Sequence, residues 1–470
     1  MKKTKIIATI SDKMCDIPLL TRMFEAGMNV VRMNTAHQTP EEALKVVENV
    51  RAVSDRIALM IDTKGPEIRI TEVNGEMPVK AGDRIFVRGG KDKPSSRECL
   101  YVTYEGLVAD VSPGDRMLID DGDIELRVIE KHVDVLTCEI QNDGAIKSRK
   151  SMNLPSVKIK NLPSLSEKDK VFVKFAADHD IDFIAHSFVR RKEDVLAIQE
   201  ILDAKKSPVK IIAKIENQEG VDNIDEILDH CYGVMVARGD LAIEIPAERI
   251  PIIQKKLVRK CIERRKPVII ATQMLQSMIT APRPTRAEVS DVANACLDRT
   301  DALMLSGETA SGKYPVEAVK TMAKIAREVE SSLSTFIDTP YETENDVTGY
   351  LSKAAVKSSL RLNTKGLIAD TISGKTIRSL AAYRGENRIY AFCYNKRTMR
   401  ELALSFGVRA YYMQRDLSSH EFIRTALSQL MSENRITENS LITVLAGNFG
   451  PDNGASYVEI STAKNLLKRK

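Results

Sequence analysis

KIIAKIENQEG, residues 210–220, sets Lys214 and Glu216 into an apolar run made by Ile211, Ile212, Ala213 and Ile215. A short apolar run bounded by polar residues reads as a buried strand of a parallel sheet covered on both faces. Alternate side chains of a strand share a face, so Lys214 and Glu216 point the same way. An ammonium and a carboxylate at the end of such a strand are costly to bury unless something uses them. Taken alone, the pair reads equally well as a structural ion pair.

Seven further runs of the same kind flank it: Lys5–Ile10, Asn29–Asn34, Ala58–Thr63, Asp182–Ser187, Gly233–Ala237, Val268–Thr272 and Ala302–Ser306, with Val209–Glu216 as the fifth of eight. Helix-start signals separate them. Thr39-Pro40-Glu41-Glu42 offers an N-cap, a proline and a glutamate at N3, and Ser166 with Asp169 and Thr285 with Glu288 repeat the capping-box spacing. Eight β/α units without a Rossmann glycine fingerprint predict a TIM (β/α)8 barrel over a doubly wound sheet.

Between the third and fourth strands, residues 70–157 alternate in short segments (Arg84–Arg88, Met117–Asp120, Leu126–Ile129) punctuated by Asn74-Gly75, Gly89-Gly90, Pro113-Gly114 and Asp143-Gly144. They predict an inserted small β-barrel lid domain on the face where such barrels keep their active sites. The barrel then comprises residues 1–69 and 158–340. A linker follows at Pro340–Gly349, and a C-terminal α/β domain, a candidate regulatory unit, spans 350–470. Its predicted elements are helix 351–361, strand Leu367–Asp370, helix 376–383, strand Arg388–Phe392, helix 397–406 and strand Leu441–Leu445.

Composition bounds the function classes. At 470 residues the chain exceeds one ordinary core, and 43% hydrophobic with 29% charged residues is a globular balance. A net charge of +5 permits anionic substrates, while the lack of Lys/Arg blocks interleaved with aromatics argues against nucleic acid. Seven scattered cysteines without Cys-x-x-Cys argue for free thiols rather than a zinc site or a disulfide framework. No apolar stretch approaches the ~20 residues needed to span a bilayer, and the N-terminus reads as a first strand rather than a signal peptide. The expectation is a cytoplasmic protein without a membrane partner.

Barrel chemistry belongs beyond the C-terminal strand ends. Those ends carry Arg32 and Asn34; Asp62, Lys64, Glu67 and Arg69; Ser187; Lys214 and Glu216; Arg238 and Asp240; Thr272; and Glu308. Glu216 and Asp240 are hard oxygen donors, and two carboxylates completed by substrate oxygens and water suit Mg²⁺ or Mn²⁺. Arg32, Arg69, Lys150 and Lys214 can neutralise phosphate and carboxylate oxygens. Metal and cations around a dense anion is the apparatus of phosphoryl transfer.

DTKGPEIR at 62–69, KIENQEG at 214–220, VMVARGDLAIEIP at 234–246, ATQMLQSM at 271–278 and PRPTRAEVSDVANACLDRTDALMLSGETASGKYP at 282–315 together resemble the pyruvate kinase family. The resemblance covers the barrel, its insertion and, more loosely, the C-terminal domain. It implies a glycolytic phosphotransferase that moves the phosphoryl group of phosphoenolpyruvate to ADP, giving ATP and pyruvate through an enolate. It further implies that Glu216 and Asp240 bind the divalent ion and that Lys214 stabilises the phosphoryl group in flight and the enolate oxygen. Thr272 belongs to proton delivery at the methylene carbon. Gly239 and Asp240 hold the substrate carboxylate. Arg32 and Arg69 contact phosphates, and Lys150, with Asn34 and His37, faces the nucleotide. K⁺ is implied at Asn34, Asp62 and Thr63, Glu67 being the residue type of K⁺-requiring members. A homotetramer is implied as well.

The chain departs from the family at several positions. Asn34-Thr35-Ala36-His37-Gln38 stands where the family has Asn-Phe-Ser-His-Gly, so Ala36 lacks a K⁺-binding hydroxyl. Ser11-Asp12 replaces a Gly-Pro beside the expected adenine site, which puts an extra carboxylate near a polyphosphate. His186, Ala242 and Arg299 stand for Ala, Gly and Gly. His186 is a new proton-active group or, favoured, a hydrogen-bonded structural histidine.

In TISGKTIR, residues 371–378, the amides of Ser373, Gly374, Lys375 and Thr376 are a candidate cradle for an effector phosphate, of a sugar phosphate or a nucleotide. An ordinary N-cap is an equal reading, and AGNFGPDNGAS at 446–456 is a further candidate wall. Two other functions stay open: an enolate-forming Mg²⁺-dependent lyase or aldolase, and a catalytically impaired regulatory homologue.

Overall fold

The computed structural model describes residues 2–155, 157–333, 336–340, 346–414, 419–447 and 454–468. Parts of the 340–349 linker, most of the glycine-rich 446–456 stretch, and Arg469 and Lys470 lie outside the described residues.

Eight parallel strands close into a barrel: Lys5–Thr9, Val30–Asn34, Ala58–Asp62, Phe183–His186, Lys210–Ile215, Gly233–Ala237, Val268–Ala271 and Ala302–Leu305. Every neighbouring pair is parallel, and the last strand returns to the first through Lys5 opposite Ala302. The apolar runs divide by alternation. Ile7, Met60, Phe183, Ile212 and Met235 fill the barrel interior, whereas Ile6, Leu59, Ile184, Ile211 and Val234 face the helix layer. Lys214 follows Ile212 on the interior face, which sends its chain toward the barrel mouth.

The helices begin where the sequence signals them. Thr39, Ser166 and Thr285 each accept from the amide of N3, whose carboxylate returns to the cap amide. Each such cap stabilises its helix by about 1 kcal/mol.

The insertion folds around its own core, from Ile68 and Ile70 through Val87, Leu100 and Leu126 to Met152 and Leu154. It forms a six-stranded sheet and a two-stranded one. A short helix, Leu107–Asp110, interrupts the β pattern and was not foreseen in the sequence.

The C-terminal domain is a five-stranded sheet ordered Val408–Tyr412, Ile389–Cys393, Leu367–Thr371, Leu441–Ala446 and Tyr457–Thr462, the last antiparallel. Its first helix begins at Val347 rather than at 351. The strands Val408–Tyr412 and Tyr457–Thr462 and the helix Ser419–Ser432 are additional to the sequence reading. Leu404 of this domain joins the barrel's interior core and plugs the end opposite the mouth.

Candidate active site

Asp62 closes the third strand with a carboxylate that is 1% exposed. Its Oδ2 accepts from Arg32 Nε at 2.6 Å, and its Oδ1 accepts from Lys214 Nζ at 3.0 Å. Lys214 also donates to Ser187 Oγ at 2.8 Å and lies 3.0 Å from Glu216 Oε1. Glu216 is fixed in turn by the amide of Phe188, 2.6 Å from its Oε2. Three strands thus converge on one ammonium.

The electrostatics follow from burial and partners. Burial pulls Lys214 down, but the Asp62 and Glu216 carboxylates outweigh it and hold the ammonium above its ordinary range. Burial pushes Asp62 up, yet Arg32 and Lys214 keep it below the usual carboxylate value. Glu216 is pushed up to about 7 by burial and the neighbouring Asp240, with Lys214 opposing. Asp240 is raised too, again chiefly by burial. Arg32 and Lys214 therefore do not balance Asp62, Glu216 and Asp240, and the buried site lacks positive charge.

That deficit is what a divalent cation would supply. Glu216 and Asp240 are hard oxygen donors lining the same cavity. Among the described residues no group of three or more His, Cys, Asp or Glu side chains converges as a ready metal site. Two carboxylates at the edge of one cavity fit an ion that keeps most of its positions for water and substrate oxygens, as Mg²⁺ does.

The cavity over this cluster measures about 890 Å³ and is lined by Arg32, Asn34, His37, Arg69, Lys214 and Asp240, among others. Arg69 is held against Glu67 at 2.6 Å and donates to the Arg149 carbonyl at 2.7 Å. Lys150 does not line it: its ammonium lies 2.9 Å from Asp120 within the insertion. The insertion instead contributes Lys91, Lys93 and Arg149 to the wall, which the sequence reading missed.

Thr272 does not line this cavity either, although it stands next to Gly239. Its hydroxyl accepts from the Gly239 amide at 2.6 Å and donates to the Ala271 carbonyl at 2.6 Å. Thr272 and Gln273 have φ of 70° and 53°, a costly conformation for a β-branched residue that is typically stored at functional sites. Arg238 clamps this turn by donating to the Thr272 carbonyl at 3.0 Å while pairing with Asp291 at 2.6 Å. Glu308 braces the neighbouring loop through the amides of Leu275 and Ser306. Neither clamp follows from spacing, because each joins residues more than thirty apart or buried within a turn.

The residues expected around K⁺ are present and already engaged. Asn34 Oδ1 accepts from the Ala36 amide at 3.1 Å, and the Thr63 carbonyl accepts from Ser187 Oγ at 2.6 Å. Ala36 faces the cavity, and its carbonyl accepts from Lys168 Nζ at 3.2 Å. At the expected adenine side, Ser11 Oγ donates to the Ala310 carbonyl at 2.7 Å.

His186 is wholly buried, with Nδ1 3.4 Å from Thr63 Oγ1. Burial lowers its pKa to about 4, so the ring is neutral at ordinary pH. The unfolded chain takes up a proton near pH 6.5 and the folded one does not until about pH 4. Stability from this group is therefore complete above pH 6.5 and is lost as pH falls toward 4, by about 3 kcal/mol in all. Replacing His186 by Leu should flatten urea-unfolding stability across that window; an unchanged slope would assign the acid sensitivity elsewhere. Arg299 adopts φ of 64°, which explains why glycine suits that position.

In the C-terminal domain, Gly374, with φ of 79°, caps the helix Lys375–Ala382 without a side-chain cap hydrogen bond. Its amide donates to Thr371 Oγ1 at 2.9 Å, and Arg378 donates to the Ser373 carbonyl at 3.1 Å. Neither Ser373 nor Thr376 caps this helix.

A closed parallel barrel with buried cations and carboxylates at its mouth defines an enzyme of the (β/α)8 class that handles a dense anion. The family model described as "Pyruvate kinase, barrel domain" matches residues 1–319, and "Pyruvate kinase, alpha/beta domain" matches 350–460. The chain is 45% identical to a pyruvate kinase of Borreliella burgdorferi, over 99% of this chain and 98% of that protein. It is 41% identical to one of Geobacillus stearothermophilus, over 100% of this chain and 81% of that protein. A crystal structure of a Cryptosporidium parvum pyruvate kinase superposes with a TM-score of 0.92 at 35% identity, covering 98% and 96% of the two chains. The chain belongs to the pyruvate kinase family.

Proposed function

We propose that the protein catalyses phosphoryl transfer between phosphoenolpyruvate and ADP, yielding pyruvate and ATP. The observation that carries this reading is the buried Lys214 held by Asp62, Ser187 and Glu216 below a cavity rich in cations. Arg32 and Lys214 supply fixed positive charge where a transferring phosphoryl group spreads negative charge over its oxygens. They are preorganised, since Asp62 locks both before substrate arrives. Glu216 and Asp240 would hold a divalent cation, which supplies charge neutralisation at phosphate and enolate oxygens when bound.

Lys214 also lies where an enolate oxygen would be stabilised once the phosphoryl group departs. Gly239 and the Thr272 hydroxyl form the edge at which a carboxylate and a methylene carbon would sit, so Thr272 orients or relays the proton that completes pyruvate. Arg69, with Lys91 and Lys93 from the insertion, would face the nucleotide phosphates. The insertion, residues 70–157, would serve as the lid, and residues 350–470 as a regulatory domain with Ser373–Thr376 as an effector-phosphate cradle. The family further supports a cytoplasmic homotetramer, and no helix among the described residues is long and apolar enough to cross a membrane. An enolate-forming lyase would leave Arg69 and the insertion's cations without a task.

Coupled pyruvate detection with phosphoenolpyruvate, ADP and Mg²⁺, with and without K⁺, tests the reading. Pyruvate formation without ADP, or none under any condition, would refute it. Ala36 makes K⁺ activation weaker or less selective than the family norm, because one hydroxyl ligand is missing from the set Asn34, Asp62 and Thr63. A KCl titration should saturate late and tolerate Na⁺, and Ala36→Ser should lower the activating concentration several-fold, roughly the effect of one restored oxygen contact. Early saturation with no Na⁺ tolerance in the unaltered protein would count against this.

A further inference from the structure

A second cavity of about 180 Å³ lies where the insertion meets the barrel rim. The strand Met152–Asn153 with Leu154 and residues 157–162 forms one wall, and the helix Arg238–Glu244 with residues 217–222 forms the other. It shares Glu67, Phe188 and Asp240 with the larger cavity. Nothing in the phosphoryl-transfer reading uses the rest of its lining.

That lining has two characters. Ile68, Met152, Leu154 and Ile243 give an apolar wall. Around it stand the carboxylates of Asp121, which accepts from Ser151 Oγ at 3.1 Å, Asp222, which accepts from Gln218 Nε2 at 2.8 Å, Glu219 and Glu244, with the basic side chains of Lys158 and Arg190. Arg190 is spent: it pairs with Asp194 and donates to the carbonyls of Ile159 and Leu162. Asn153 Oδ1 is buried there with no hydrogen-bond donor. At one end of this chamber Glu244, hydrogen-bonded to the Asn153 side chain, and the unpartnered Asn153 Oδ1 face the apolar wall without a basic partner, a pairing that selects a ligand with an apolar body and a donor-only, positively charged head.

We propose that this cavity binds a small primary amine on a short alkyl or aryl body, with the ammonium on Glu244 and Asn153 and the body against Ile68, Met152 and Leu154. The volume equals about six waters at ~30 Å³ each, enough for roughly seven heavy atoms. The occupant bridges the insertion and the barrel, so it restrains their relative movement. Only this kinetic consequence rests on the phosphoryl-transfer reading; binding does not.

Calorimetry on the full chain with saturating Mg²⁺ uses hexylamine, 1-hexanol and hexanoate as probes. Hexylamine should bind with Kd on the order of 1 mM, 1-hexanol about tenfold more weakly, and hexanoate not measurably. Glu244→Gln should weaken hexylamine about tenfold, leaving 1-hexanol and kcat unchanged. Ile159→Trp, which fills the chamber, should abolish binding of both. Equal affinity of amine and alcohol would overturn the proposal. So would an unaffected Glu244→Gln, an unaffected Ile159→Trp, or hexylamine binding seen only in a control titration without Mg²⁺, which would place the amine on Asp240 and Glu216 instead. In turnover, hexylamine should lower kcat without competing with phosphoenolpyruvate; competition would count against the assigned position. If no pyruvate forms at all, the binding results still decide this inference, and the phosphoryl-transfer reading falls separately.

Discussion

Lys214→Met should slow phosphoryl transfer by about a thousandfold, the scale on which loss of a preorganised charge donor is felt, while divalent-ion binding survives. The methionine fills nearly the same volume and leaves the strand Lys210–Ile215 buried, so the fold should hold. What disappears is the ammonium shared by Asp62 at 3.0 Å and Glu216 at 3.0 Å. Arg32 still neutralises Asp62 through its 2.6 Å contact, but no charge remains at the position proposed for the enolate oxygen. Removing a cation beside Glu216 and Asp240 strengthens their field, so Mn²⁺ affinity, followed by electron paramagnetic resonance, should stay the same or rise. Lys214→Arg restores charge without the compact geometry of an ammonium and should recover little. Turnover within tenfold of the unaltered protein would show that the ammonium is dispensable to the reaction, and a collapse of Mn²⁺ binding would show that the residue serves the metal site instead.

The barrel was legible because a fully buried strand leaves a simple trace: a short apolar run with a polar residue at its mouth end. All eight such runs are strands, each within a residue or so of its expected bounds. The three capping boxes were legible for the same local reason. The edge strand Tyr457–Thr462 was not, since it is only partly buried along its whole length and shows no clean alternation. Within the site, Lys214 and Glu216 could be paired by strand geometry alone. Asp62 could not be added to them, because that contact spans 152 positions and depends on barrel closure. The same limit applied to Lys150, whose nearest acid, Asp120, lies on a neighbouring segment of the insertion.

Barrel closure also fixes where the C-terminal domain attaches, and Asp301 should prove the most sensitive point of that junction. It sits just before the eighth strand, 3% exposed, and accepts from Arg384 Nη2 at 2.6 Å, the Phe406 amide at 2.8 Å and the Val268 amide at 3.1 Å. Arg384 carries the link onward by donating to the carbonyls of Arg299 and Ala381, with its guanidinium stacked on Phe406. Burial nevertheless keeps Asp301 above the usual carboxylate range, against the pull of Arg384 and the amides, so the pair has not recovered its full desolvation cost. Asp301→Ala leaves a buried guanidinium and two amides unmatched and should cost about 3–5 kcal/mol. Adding Arg384→Met removes the stranded charge, and the double variant should be more stable than Asp301→Ala alone, a coupling that a double-mutant cycle measures directly. The chain has no tryptophan, so tyrosine fluorescence and circular dichroism during urea unfolding are the readouts. A loss under about 1 kcal/mol for Asp301→Ala, or costs that simply add in the double variant, would mean that packing of Leu404 into the barrel floor, rather than this ion pair, holds the two domains together.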